Sequence, residues 1–142
     1  MLGYNRSPIG EQVCHLLDMV ANIRRSHADV KSISLIATGE HAPAALLARA
    51  LAGDAIDRAA IDLGKFDFDR VQEDDDPRML PGARKYGGIY GFVPLCDSGQ
   101  TLIVAAPNTG SIERAGKTAN VTIGPQTRDA NQLTQWVVEG HK

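Results

Sequence analysis

The stretch Ile33-Ser34-Leu35-Ile36-Ala37 runs through Thr38-Gly39-Glu40-His41 straight into Ala42-Pro43-Ala44-Ala45-Leu46-Leu47-Ala48. The strand reads from Asp29 to Ala37, and an apolar strand that meets a glycine turn and then an Ala/Leu-rich helix is one half of a βαβ unit. Proline in the first turn favours the helix, and Gly53 can end it. Three further apolar runs repeat the theme: residues 55–63, 101–106 and 120–123. Short buried strands alternating with helices predict an α/β fold, about four parallel strands in sequential order joined by crossovers of one hand.

The helices are legible from spacing. Ser7-Pro8 with Glu11 close behind reads as a helix start. Val13, Leu16, Leu17, Val20 and Ile23 then mark one face as far as Arg25. A short helix is expected over residues 111–117. A last one is expected over residues 127–139, with Thr127 as its cap, Asp129 at its positive end, and Leu133, Trp136 and Val137 on one face. Residues 64–88 are irregular, with an acidic loop over residues 64–80 and a helical piece from Pro81 to Tyr86. The whole of 1–142 reads as a single domain.

Crossovers of one hand put the connecting helices on one face of the sheet. The first and last helices are expected to cover part of the other. Parallel sheets are normally covered on both faces, and the first strand presents an unpaired edge. Self-association is therefore expected, as a dimer or higher homo-oligomer.

Composition bounds function. The chain is 43% hydrophobic and 23% charged, with a net charge of −2, which is that of a soluble globular domain. It offers no clustered basic face for nucleic acid. No apolar run approaches the ~18 residues of a membrane span. The start, Met1-Leu2-Gly3-Tyr4-Asn5-Arg6, lacks a signal-peptide core, so the chain reads as cytoplasmic. Cys14 and Cys96 lack any zinc-type spacing and read as reduced and buried.

Residues 38–53, Thr38-Gly39-Glu40-His41-Ala42-Pro43-Ala44-Ala45-Leu46-Leu47-Ala48-Arg49-Ala50-Leu51-Ala52-Gly53, resemble the nucleophile elbow and following helix of α/β-hydrolases of the acetyl xylan esterase-like and dienelactone hydrolase-like type. Leu80-Pro81-Gly82-Ala83-Arg84-Lys85-Tyr86-Gly87-Gly88 resembles a later segment of the same esterases. The resemblance covers most of the chain but only the C-terminal half of that family's fold. It implies a half-size, Rossmann-like three-layer domain, either a natural half-size relative or a piece of a longer protein.

The elbow is degenerate. No serine or cysteine lies between Thr38 and Leu51. The family's nucleophile maps to Glu40 or His41, its acid to the turn holding Asn108, and its histidine to Gly124-Pro125-Gln126-Thr127. His141 lies beyond the last helix. The resemblance thus implies a hydrolase-like domain with a structural, assembly or ligand-binding role. The alternative is an esterase of small acyl groups, working through a non-standard or inter-chain site at Gly39-Glu40-His41-Ala42-Pro43.

The carboxyl ends of parallel strands, capped by helix N-termini, are where such sheets take ligands and anions. The candidate ligand-binding residues are accordingly Gly39, Glu40, His41, Ala42 and Asn108, and the ligand expected is a small anion. Glu40 and His41 are also the catalytic candidates, as a general acid and base. Asp67, Asp69 and Glu73-Asp74-Asp75-Asp76 lack the central glycine and distal glutamate of a calcium loop. Gly87-Gly88 with Gly91 does not make a dinucleotide fingerprint after a strand. No metal and no cofactor is expected. Tyr4-Asn5-Arg6 and Tyr86 are candidates for a partner surface, and His15 and His27 read as surface residues.

Overall fold

The computed structural model describes residues 7–71, 76–107 and 120–140. Tyr4, Asn5, Arg6, Glu73, Asp74, Asp75, Asn108, the expected helix over residues 111–117 and His141 lie outside them. The main elements are α1 (Pro8–Ser26), β1 (Ser34–Ala37), α2 (Ala42–Ala52), β2 (Arg58–Asp62), β3 (Gln100–Val104), β4 (Val121–Gly124) and α3 (Ala130–Glu139). The four strands form one sheet in the order β1-β2-β3-β4, every pair parallel.

Register explains which residues share a face. Ala37, Ile61, Ile103 and Ile123 stand in one cross-strand row, and Ile36, Ala60, Leu102 and Thr122 in the next. Alternation sends the two rows to opposite faces. On the first face Ala59, Ile61 and Ile103 join Ala42, Leu46, Leu47 and Ala48 of α2 in the main core, with Phe68, Ile89 and Val93 of the β2–β3 connection. On the second, Ala60, Leu102 and Val104 pack with Leu133 and Val137 of α3, and Trp136 lies against them. Ala59, Ala60 and Ile61 are all fully buried, as a central parallel strand requires.

α1 packs on α2 and sends Ile9 and Val13 into the main core. It therefore sits on the α2 side of the sheet, and α3 alone of the described helices covers the second face, against β1 and β2. The expectation that α1 would share that face is corrected. Ile36 on β1 stays 37% exposed there, and β1 is an edge strand as expected.

Three boundaries differ from the sequence reading for identifiable reasons. β1 begins at Ser34 rather than near Asp29, because Asp57 takes the Ile33 amide on its carboxylate (2.7 Å). α3 is capped by Asp129, not Thr127. The Asp129 carboxylate accepts from the Gln132 amide, and the Gln132 side chain accepts from the Asp129 amide; this reciprocal pair satisfies two otherwise orphan donors. The Pro81–Tyr86 piece is a 3₁₀ turn, Ala83–Tyr86, followed by two more at Gly88–Gly91 and Val93–Leu95.

The amino end of the sheet is cross-braced by arginines. Arg24 of α1 donates to the Asp57 carboxylate (2.9 Å) and the Ala55 carbonyl (3.1 Å). Arg49 of α2, 1% exposed, donates from Nε to the Thr101 hydroxyl and from Nη1 to the carbonyls of Gly53 and Ile56. At β2, Arg58 lies 4.0 Å over the Trp136 ring and donates to the Trp136 carbonyl, tying α3 to the strand it covers.

Candidate functional site

At the opposite, carboxyl end of the sheet the chain leaves β1 through Thr38 in extended conformation and turns at Gly39, whose φ of +68° suits glycine. A 3₁₀ turn, Gly39–His41, then runs into α2. Neither this turn nor α2 has a side-chain cap. The positive end of the α2 dipole therefore meets this turn without a capping side chain, while the Ala42 amide donates to the Gly39 carbonyl.

Glu40 and His41 are both exposed, at 79% and 69% of their side chains, with Oε1 and Nε2 3.7 Å apart. His41 leans to α1, its Nδ1 3.4 Å from the Gln12 amide oxygen. Ala42 is fully buried beneath the turn.

Gly39 and Glu40 form one wall of a cleft of about 390 Å³, the lower range of small-ligand sites. The facing wall is the chain after β2, Leu63 to Asp67, with Arg70, Val71 and Arg78 at its margin. His41 and Ala42 do not line it. The structure thus brings two of the candidate residues to the cleft and leaves two outside, while Asn108 falls beyond the described residues.

What shapes the second wall is Asp62, a buried carboxylate that ends β2. Its Oδ1 accepts from the Gly64 amide (2.8 Å) and its Oδ2 from the Arg128 amide (3.0 Å). This double acceptance folds the chain over the end of β3, where Leu63 and Lys65 donate to the carbonyls of Val104 and Ala105. Lys65 and Ala105 both take positive φ, 60° and 49°. Such left-handed conformations cost a non-glycine residue about 1 kcal/mol or more, and here the paired amides hold them in place.

Charge in the cleft is unevenly satisfied. Arg78 is gripped by Asp76, which accepts from its backbone amide (2.8 Å), its Nε (3.0 Å) and its Nη2 (2.8 Å). This grip holds the Asp76 carboxyl below its usual range and raises Arg78, with Glu40 adding to the latter. The Arg78 guanidinium also lies 5.1 Å over the Phe66 ring, and Phe66 meets Phe68 edge-on at 5.1 Å. Lys65 and Arg70, by contrast, have no carboxylate partner within 4.0 Å among the described residues. Both are exposed. Near the same end Tyr90 donates its hydroxyl to the Pro107 carbonyl; burial, with Asp67 adding, raises its pKa.

The described lining holds no serine, threonine or cysteine. It can offer the carboxylates of Glu40 and Asp67, the ammonium of Lys65 and the guanidinium groups of Arg70 and Arg78, which together suit binding and charge neutralisation more than acyl transfer. Asp62 and Tyr90 escaped the sequence reading. An acid closing an apolar strand directly before a glycine was the available signal for Asp62; Tyr90 has none, because its partner lies 17 residues away.

Compared with protein-family models, curated proteins and solved structures, the chain matches none.

Proposed function

We propose that this domain is a binding module that takes a small organic anion in the cleft beyond β1 and β2, on a hydrolase-like frame that lacks the serine chemistry. The observation that carries the reading is a pair of cations, Lys65 and Arg70, without a carboxylate partner among the described residues, sharing a cleft with the Gly39–Glu40 turn that leads into α2. An arriving carboxylate or phosphate gains charge-assisted hydrogen bonds there without first breaking an internal ion pair. Assembly into a homo-oligomer belongs to the same reading and is supported by the edge position of β1 and the exposed Ile36 beside it.

Thermal unfolding in the presence of phosphate, succinate and citrate tests the ligand. A ligand that binds only the folded chain raises Tm with concentration, and a Lys65→Ala/Arg70→Ala double variant loses the rise. Absence of any rise in the parent chain overturns the reading. Light scattering after size exclusion tests assembly, where a stable monomer at micromolar concentration counts against it.

The second reading, an esterase of small acyl groups, draws on the approach of Glu40 to His41. Turnover of p-nitrophenyl acetate above buffer that disappears in His41→Ala would establish it in place of the first.

A further inference from the structure

Charge is unevenly divided between the walls of the cleft. Lys65 and Arg70 belong to the chain after β2, together with Asp67, whose Oδ1 accepts from the Asp69 amide; Glu40 stands alone on the turn after β1. Glu40 is open to solvent, and His41 Nε2 at 3.7 Å is beyond hydrogen-bond distance. Arg78, the cation that also acts on Glu40, has its Nε, Nη2 and backbone amide committed to Asp76. A ligand whose anionic group reaches Lys65 and Arg70 therefore brings its remaining atoms toward the Glu40 carboxylate. A second bare anionic group is repelled there, whereas a hydroxyl or ammonium group donates to it.

We propose that the occupant of this cleft is a hydroxylated or aminated carboxylic acid, its carboxylate held by Lys65 and Arg70 and its hydroxyl or amine read by Glu40. This rests on the anion reading above and adds the substituent that the site selects. Specificity of this kind arises because the analogue without a donor leaves Glu40 without compensation for its lost water.

Matched probes test it: malate against succinate, which differ by one hydroxyl, titrated into ¹⁵N-labelled chain with the amides of Gly39, Glu40, Gly64 and Lys65 as reporters. Malate is expected to bind roughly three- to tenfold more tightly, the span of one exposed to charge-assisted hydrogen bond. Glu40→Ala should bring the ratio to about one while succinate binds as well as before or better, through lost repulsion. Lys65→Ala should weaken both. Equal binding of the two probes by the parent chain, or a preference that persists in Glu40→Ala, overturns the inference and leaves the anion reading standing. Failure of both probes to move these amides overturns the anion reading and this inference with it.

Discussion

The Nε of Arg49 donates to the hydroxyl of Thr101 across 2.9 Å, joining residues 52 positions apart in the fully buried space between α2 and the start of β3. The same guanidinium holds the carbonyls of Gly53 and Ile56 through Nη1, each at 2.8 Å. One side chain therefore ends α2, starts β2 and anchors β3. Burial works against its charge and lowers its pKa, with Cys96, Asp57 and Asp97 opposing that shift. Arg49→Ala takes this donor from two buried acceptors, the Thr101 hydroxyl and the Ile56 carbonyl, and from the half-buried Gly53 carbonyl. Its expected cost is about 3 kcal/mol or more, read as a drop in the urea midpoint at unchanged slope. Arg49→Lys should recover only part of this, because an ammonium cannot reproduce the fork.

Gly99 shows how tightly the same corner is closed. At φ +65° a Cβ there would stand 2.3 Å from the Asp57 carbonyl oxygen and 2.8 Å from Arg49 Nη2. Gly53, at φ +57°, has open space around the same atom. Its ψ of −126° lies outside the left-handed helical well, so alanine at Gly53 should cost only that backbone strain, about 1–3 kcal/mol. Alanine at Gly99 should cost that plus the clash, about 3 kcal/mol or more. Parallel urea titrations of the two variants check the difference, and equal losses would show that the Asp57 carbonyl yields freely.

The order of strands was readable because each apolar run is short, buried and separated by a helix-forming segment. Ala59-Ala60-Ile61 could hardly be anything but a central strand once its neighbours were strands too. The turn at Gly39 and Glu40 was readable for the same local reason. The second wall of the cleft was not, since it depends on Asp62 reaching Arg128, 66 residues onward, and on Lys65 accepting a conformation its own residue type disfavours. Local preference misled once: Thr127 is a good cap, but Asp129 with Gln132 satisfies two amides where Thr127 alone would satisfy one.

Asp62 is therefore the residue through which the cleft can be tested without touching its lining. Asp62→Ala deprives the Gly64 and Arg128 amides of their acceptor, at an expected cost of about 1–3 kcal/mol. Amide exchange should speed up at Gly64 and Arg128 before it changes in β2 itself, because local opening precedes global unfolding. Anion-induced stabilisation should fall with it. Unchanged exchange at Gly64 would separate Asp62 from the shape of the cleft.

Cys96 is 1% exposed, and its Sγ–H points to the Phe92 carbonyl at 3.7 Å. Burial pushes the thiol up to about 11, against a smaller opposing pull from Arg49. Above the ordinary thiol range, about 8.5, the unfolded chain releases a proton that the native chain keeps. Stability contributed by the neutral thiol is thus intact at neutral pH and falls as pH rises from that range toward 11. Urea midpoints measured at rising alkaline pH should decline, and Cys96→Ala should flatten the decline. Cys14, expected to be buried like Cys96, is instead partly exposed, so at pH 8 a thiol reagent should label it well ahead of Cys96.

The clamp of Asp76 on Arg78 carries the opposite pH sign. The bonds from the Arg78 side chain, and after them its backbone amide, lower the carboxyl's pKa below its ordinary value. A depressed carboxyl stabilises the folded form above the ordinary aspartate range and stops doing so as pH falls through its lowered value. The Nε–H of Arg78 should therefore remain visible by ¹⁵N NMR on acidification through pH ~4, where an unperturbed aspartate titrates, and be lost only below it. Asp76→Asn should abolish that signal at neutral pH, free the guanidinium from its place over Phe66, and leave Arg78 able to pair with Glu40. In that variant succinate should bind more tightly and its disadvantage against malate should shrink, because Arg78 can then neutralise the carboxylate that repels it. An Nε–H that disappears near pH 4 in the parent chain would mean that the three bonds confer no preference for ionised Asp76.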